Sequence, residues 1–142
     1  MYNKIKNSPT IGDVYMIKFG ENSSGSVQGG WRPGVIFQNN TGNVHSPNVV
    51  ALPLTSSLKK VNQPTHVLIN ASEWLPKDSM VLCENPECIP KNRIGDYMGR
   101  LSEENMREIS GAYLLSSSCI AFLDIQAIMT LKRRAVELNA VA

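Results

Sequence analysis

The chain has 142 residues, 42% of them hydrophobic and 18% charged, which fills one domain and leaves too little for two independent cores. Fourteen Lys and Arg against twelve Asp and Glu give a formal net charge of +2. That excludes a disordered chain and a strongly basic one, so any polyanion must be met by a local cluster of cations. No apolar run approaches the roughly 18 residues of a membrane-spanning helix, and nothing apolar follows Lys4 and Lys6 at the N-terminus. A cytosolic protein making no membrane contact is expected. Three cysteines, Cys83, Cys88 and Cys119, form no CxxC pair, which predicts reduced, mostly buried thiols. With only His45 and His66 as further soft ligands, no metal and no cofactor is expected.

Residues 12–19 (GDVYMIKF) follow a turn signal and are rich in β-branched and aromatic side chains, which predicts a strand. Residues 20–30 (GENSSGSVQGG) hold four glycines and three serines, a loop composition and a candidate lid over a groove. Residues 33–39 (PGVIFQN) read as the second strand of a long-looped hairpin, with the proline at its start. Asn40, Gly42, Asn43 and Pro47 mark a connection, and residues 48–54 (NVVALPL) have the length of a buried strand. Residues 55–60 (TSSLKK) read as one helical turn, with Thr55 as N-cap and two lysines at the C-terminal end. Residues 65–70, 79–84 and 98–101 are three further short strands. At Ser102 the period changes, and Met106, Ile109, Tyr113 and Leu114 recur at helical spacing in a helix reaching residue 123. Residues 125–138 continue this pattern through Ile128, Met129, Leu131 and Val136, with Lys132, Arg133 and Arg134 clustered, as a second helix or a continuation of the first. Short strands followed by a helical C-terminus predict an α+β fold, a small bent sheet or barrel with a helix packed on it.

No phosphate loop with its lysine, no HExxH, no GxSxG and no paired CxxC is present. What remains is Trp31-Arg32-Pro33 directly after the glycine loop, and Leu54-Thr55-Ser56 at the end of an apolar strand. An arginine in that place is fork-shaped, always charged and suited to bidentate phosphate binding, although a surface arginine paired with a carboxylate looks the same in sequence. Thr55 equally fits a plain helix cap. An unperturbed imidazole titrates near neutrality, which invites a general-base role for His66 against the commoner structural one. Trp31 and Trp74 can stack on bases, though partial burial is the commoner fate. Lys59 and Lys60 can neutralise phosphates or simply end a solvated turn.

The succession Gly12-Asp13-Val14-Tyr15, Gln28-Gly29-Gly30-Trp31-Arg32-Pro33, Gln38-Asn39-Asn40, Gly42-Asn43, Ser46-Pro47, Pro53-Leu54-Thr55-Ser56, Pro64-Thr65-His66-Val67, Lys77-Asp78-Ser79 and Gly99-Arg100-Leu101 resembles the MazF/PemK (Kid) family of bacterial toxins. The match runs in order, without large gaps, between residues 12 and 124. The resemblance implies a small SH3-like antiparallel β-barrel of the CcdB/PemK type with a C-terminal helix. It makes residues 1–124 the toxin domain and residues 125–142 a helical extension of it. It also implies a homodimer that cleaves single-stranded messenger RNA sequence-selectively without metal and so arrests growth. In that chemistry the 2′-hydroxyl attacks the adjacent phosphate, leaving a 2′,3′-cyclic phosphate and a 5′-hydroxyl. The family's catalytic arginine and threonine fall on Arg32 and Thr55. Ser56, Glu87 and His66 are candidates for supporting roles, and RNA contacts are expected of Gln28, Gly30, Trp31, Gln38, Asn39, Lys59 and Lys60. A cognate MazE-like antitoxin is implied, whose acidic, flexible C-terminal segment would lie in the RNA groove.

This sequence departs from the family at two places. Val27 stands where many members carry an acid, and Glu87-Cys88-Ile89-Pro90 stands where they carry an Arg-Thr-Ile-Asp-like segment. The second arginine is thus Glu87, and the proposed basic aspartate is Pro90. Activity then rests on Arg32 and Thr55 alone, or Glu87 takes up the base role, or the barrel binds without cutting. The first is favoured, because an arginine-to-glutamate reversal beside a phosphate repels RNA unless Glu87 points away. A non-nuclease toxin of the same fold that binds DNA gyrase, like CcdB, is the alternative of a different class. The Arg32-Pro33 and Leu54-Thr55-Ser56 segments speak against it, since a gyrase binder needs neither.

Overall fold

The computed structural model describes residues 8–20 and 30–138. Within them β1 (Asp13–Phe19), β2 (Gly30–Ile36), β3 (Asn48–Thr55), β4 (His66–Ile69), β5 (Ser79–Leu82), β6 (Glu87–Pro90) and β7 (Ile94–Arg100) pair antiparallel in the order β4-β5-β3-β2-β1-β7, with β6 also on β3. The sheet turns on β3. Residues 51–53 of that strand pair with β2 on one edge, while the other edge pairs first with β6 (residues 48–51) and then with β5 (residues 54–55). Two strands sharing one edge in succession bend the sheet, and both of its faces are buried.

Period-two alternation sorts the side chains between two cores. Val14, Val35, Leu52 and Leu54 face one cluster; Tyr15, Ile17, Phe19, Ile36, Val49, Ala51 and Ile89 face the other. Helix α2 (Glu103–Ser116) covers the first cluster, burying Ile109 and Ala112. Full burial of Ile109 alone contributes about 2 kcal/mol. Ser102 caps this helix, its hydroxyl oxygen accepting the Asn105 N–H at 3.1 Å. The antiparallel sheet with a C-terminal helix is the arrangement the sequence predicts.

Several boundaries differ for local reasons. β2 begins at Gly30 and ends at Ile36, because the chain then enters a helix, α1 (Asn40–His45), that the sequence pattern reads as a connection. Asn39 caps it, accepting the Gly42 N–H at 2.9 Å. Residues 55–60 form no helical turn: Thr55 is the last residue of β3, opposite Met80. The helix expected to reach residue 123 ends at Ser116. Ser116 and Ser117 turn their hydroxyls onto the carbonyls of Tyr113 and Leu114, a competition that ends α2. Two helices follow, α3 (Cys119–Phe122) and α4 (Ile125–Glu137), the latter capped by Asp124. No helix among the described residues is long and apolar enough to cross a membrane.

Trp74 lies flat against Gly99, where an added Cβ would stand 2.3 Å from the indole ring. Only glycine fits that position of β7.

The expectation of mostly buried thiols holds for Cys83 and fails for Cys88 and Cys119, which are exposed. Cys88 occupies the outward position on β6, beside the inward Ile89. Burial, then the Glu84 charge, pushes the Cys83 thiol up to about 12, so almost no thiolate is present there at pH 8. Iodoacetamide at pH 8 should therefore modify two cysteines in the folded protein and the third only in denaturant, as read by intact mass.

Candidate active site

Arg32 and Thr55 meet through strand register. Gly34 pairs with Pro53, Val35 with Leu52 and Ile36 with Ala51. The pairing ends at Gly34 and Pro53; counted two residues further, the same register brings Arg32 and Thr55 to corresponding positions where β3 passes from β2 to β5. Both also point to one side: Arg32 shares the parity of Ile36, and Thr55 that of Val49 and Ala51, all on the second cluster's face. There β3 leaves β2 for β5, since Thr55 pairs with Met80. The two side chains thus sit where the strands part, over the end of the barrel core. Arg32 is half-buried, and burial draws its pKa below the ordinary arginine value. The guanidinium still stays charged near neutrality.

The Thr55 hydroxyl oxygen accepts the Ser57 N–H at 3.1 Å. This closes a small turn directly after the strand and leaves the hydroxyl proton available for an external acceptor. A helix start at Ser56 and Ser57 is therefore not what supports Thr55. Thr55 and Ser57 form one wall of a cleft of about 380 Å³, completed by Lys59, Lys60, His66 and Glu84 among others. The structure thus gathers Thr55, Lys59, Lys60 and His66 in one place. Ser56, alternating to the opposite face, lines a different, smaller cleft with Pro33 and Lys77.

His66 has both ring nitrogens committed. Nδ1 lies 2.9 Å from the Lys60 carbonyl oxygen, and Nε2 lies 2.7 Å from Glu84 Oε2. Glu84 Oε2 also accepts from Gln63 Nε2 at 2.9 Å and from the Thr65 hydroxyl at 3.1 Å. Neither imidazole nitrogen is left to take a proton from a substrate hydroxyl. Glu84 escaped the sequence reading. The only signal for it is the pairing of His66 with Leu82, which brings an acid eighteen residues away to the imidazole.

The remaining candidates lie elsewhere. Trp31 points to the opposite face from Arg32; it is 56% exposed, with its ring against Gly95, where a Cβ would lie 3.0 Å from the indole. Gly30 opens β2 with φ +76°. Gln28 and Val27, with most of the candidate lid, lie outside the described residues. Gln38 is about 20 Å along an extended chain from Arg32. Its amide donates to the Asn48 carbonyl at 3.1 Å and to Asn43 Oδ1 at 3.4 Å, while Asn39 caps α1. Both belong to the buried Asn43 network rather than to the Arg32–Thr55 surface. Glu87 pairs with Ala51, four residues from Thr55 or about 13 Å along the strand. Its Oε1 accepts the Gly20 N–H at 3.1 Å. The reversed charge thus lies on the face that Ala51 and Ile89 share with Arg32 and Thr55, with Oε1 held by the backbone at the end of β1.

An arginine and a hydroxyl on adjacent strands, beside a cleft rimmed by two lysines, make a surface suited to a phosphodiester. The barrel that carries them is shared. Residues 10–115 match the model of the PemK-like, MazF-like toxins of type II toxin–antitoxin systems, and the chain belongs to that family. It is 42% identical over 106 residues to the Endoribonuclease MazF of Staphylococcus saprophyticus subsp. saprophyticus, covering 74% of this chain and 88% of that one. Among solved structures it is similar to a mycobacterial endoribonuclease in complex with its cognate antitoxin, at 30% identity and TM-score 0.63, covering 76% of this chain and 93% of that one. MazF from Deinococcus radiodurans shares the fold at TM-score 0.67 and 22% identity, covering 78% of this chain and 96% of that one.

Proposed function

We propose that this MazF-like toxin is an endoribonuclease that cuts single-stranded RNA by attack of the substrate's own 2′-hydroxyl on the adjacent phosphorus. The P–O5′ bond breaks, leaving a 2′,3′-cyclic phosphate and a 5′-hydroxyl. The observation that supports this reading is the β2–β3 pairing of Gly34 with Pro53, from which Arg32 and Thr55 each lie two residues away. Arg32 offers a fork of charged N–H donors to the phosphorane, and Thr55 donates its hydroxyl proton to a non-bridging oxygen while Ser57 N–H holds its lone pair. Lys59 and Lys60 receive neighbouring phosphates. The catalysis is charge stabilisation: both His66 ring nitrogens are hydrogen-bonded, Glu87 Oε1 accepts the Gly20 N–H and Pro90 has no basic side-chain atom, so the 2′-hydroxyl proton leaves to water and water protonates O5′. The protein acts in the cytoplasm, as a homodimer, and is silenced by an antitoxin whose acidic segment competes with RNA for the same cations. Residues 125–142 belong to the toxin domain as a C-terminal extension that begins with α4 (Ile125–Glu137).

Incubation of the purified protein with a mixed-sequence RNA in EDTA tests this, with cleavage at a restricted set of sites as the expected result. Intact RNA that is cut only when a divalent cation is restored would overturn it. Glu87→Gln keeps an acceptor for the Gly20 N–H and is expected to change kcat by less than about threefold, against the 10²–10⁴ loss of a true general base. Single-turnover rates measure the difference.

A further inference from the structure

The network around His66 does more than occupy an imidazole. Between Thr55 and His66 the chain makes a turn whose centre, Lys60, has a left-handed backbone with φ 56°. A lysine rarely adopts that conformation unless its surroundings hold it there. The Lys60 carbonyl accepts two hydrogen bonds, from the Gln63 N–H at 3.0 Å and from His66 Nδ1 at 2.9 Å. The other end of the same imidazole is tied to Glu84, just beyond β5. Gln63 and Thr65 donate to that same carboxylate oxygen, and the Cys83 N–H donates to the Thr65 carbonyl at 3.0 Å. Four of these bonds (His66 Nδ1 to the Lys60 carbonyl, Gln63 and Thr65 to Glu84, and Cys83 N–H to the Thr65 carbonyl) fasten the 56–65 turn to β4 and the end of β5; the Gln63 N–H closes the turn on itself, and His66–Glu84 ties the two strands together. The His66 side chain is 7% exposed and that of Glu84 29%, so the imidazole is nearly covered and its partner partly so, while Lys59 and Lys60 stand on the exposed part of the turn.

We propose that His66 and Glu84 are positioning residues that clamp the turn after Thr55 through the Lys60 carbonyl and so set the Lys59 and Lys60 ammonium groups for the substrate's flanking phosphates. The inference rests on the ribonuclease reading and goes beyond it. It assigns substrate binding to a histidine whose chemistry invites a proton-transfer role, and it names Glu84 as its partner. A flexible turn would have to order its two lysines on binding RNA, whereas a clamped one presents them in place. Loss of the clamp therefore weakens RNA binding and leaves the chemical step, which belongs to Arg32 and Thr55, unchanged.

The test combines steady-state kinetics with binding of a fluorescent, non-cleavable 2′-O-methyl RNA, on the full chain carrying His66→Ala, His66→Asn or Glu84→Gln. His66→Ala should raise KM and Kd about tenfold with kcat within twofold, and lower the salt slope of log Kd by about one phosphate contact. His66→Asn, whose amide still reaches the Lys60 carbonyl, should recover most of this loss. Glu84→Gln, which keeps the side chain's shape, should give an intermediate KM and serves if His66→Ala does not fold. A fall in kcat of a hundredfold or more at unchanged KM would make His66 a proton-transfer group and overturn the proposal. So would unchanged Kd and salt slope in both folded His66→Ala and Glu84→Gln. A parent chain that neither binds nor cuts RNA refutes the ribonuclease reading and this proposal with it. A parent that cuts, beside His66 variants that bind equally well, refutes the clamp alone.

Discussion

Arg32→Ala is expected to lower kcat for RNA cleavage about a thousandfold while leaving the melting temperature within a few degrees, because the guanidinium lies at the rim of the barrel and not in its core. Removing one well-placed donor to developing negative charge costs about 10²–10³ in rate, and a charged, bidentate donor falls at the upper end. Partial burial sharpens the effect: the environment that draws the Arg32 pKa down is also less screening, so the charge acts on phosphate more strongly than it would in water. Arg32→Lys should recover no more than about tenfold of the loss, since an ammonium supplies charge without the planar fork. Thr55→Val, which keeps the shape and removes the hydroxyl, should cost about a hundredfold. The two losses should fall short of additive in the double variant, since both side chains serve one phosphate. Single-turnover rates on one short RNA, with circular-dichroism melts of each variant, provide the measurement.

The largest effect on stability is expected at the pair of Asp13 and Arg100. The Asp13 carboxylate is fully buried; Oδ1 accepts from Arg100 Nη1 at 3.0 Å and Oδ2 accepts from the Thr10 N–H at 2.8 Å. The pair ties β1 to β7 at the register position where Asp13 faces Arg100. Asp13→Ala removes the charge, strands the Thr10 donor and opens space in the interior. The cost should be about 3 kcal/mol, at the low end for breaking a buried pair because the Arg100 side chain is half exposed and regains water. In a chain of this size that lowers the melting temperature by roughly 10 °C. Asp13→Asn, which keeps one acceptor oxygen, should lose about half as much. Arg100→Ala should lose at least as much as Asp13→Ala, since it takes the cation from a fully buried carboxylate that cannot regain water. Thermal melts of the three variants at pH 7 separate these values.

The strands were legible where the side chains themselves carry the pattern. The alternation of Val14, Tyr15 and Ile17, and the apolar run through Leu52 and Leu54, identify β1 and β3 without any knowledge of the fold. Register was not legible, and the site depends on it. Arg32 and Thr55 each look like ordinary surface residues until β2 and β3 are aligned, and only the family resemblance joins them in sequence. Residues 55–60 mislead because a threonine followed by two lysines satisfies every local signal for a helical turn. Tertiary pairing wins there: Thr55 is held opposite Met80, and its hydroxyl closes a turn onto Ser57. His66 was visible and Glu84 was not, since an acid beyond the end of a strand carries no signal until β4 is set beside β5. Gln38 and Asn39 match the family in sequence but are used to seat α1, because a buried Asn43 must have its amide satisfied. Glu87 is the converse case: its sign alone argues against RNA, and only its bond to Gly20 shows where that charge is directed.

In the proposed reaction Arg32 and Thr55 serve an attack by the substrate's own 2′-hydroxyl. Mass spectrometry of products from a short RNA cut once, compared with the same RNA carrying a 2′-O-methyl group at the cut nucleotide, tests it most directly. The expected products are a 2′,3′-cyclic phosphate facing a 5′-hydroxyl, with no cut in the methylated RNA and neither product from Arg32→Ala. A cut across the methylated nucleotide, or ends bearing a 3′-hydroxyl and a 5′-phosphate, would contradict it.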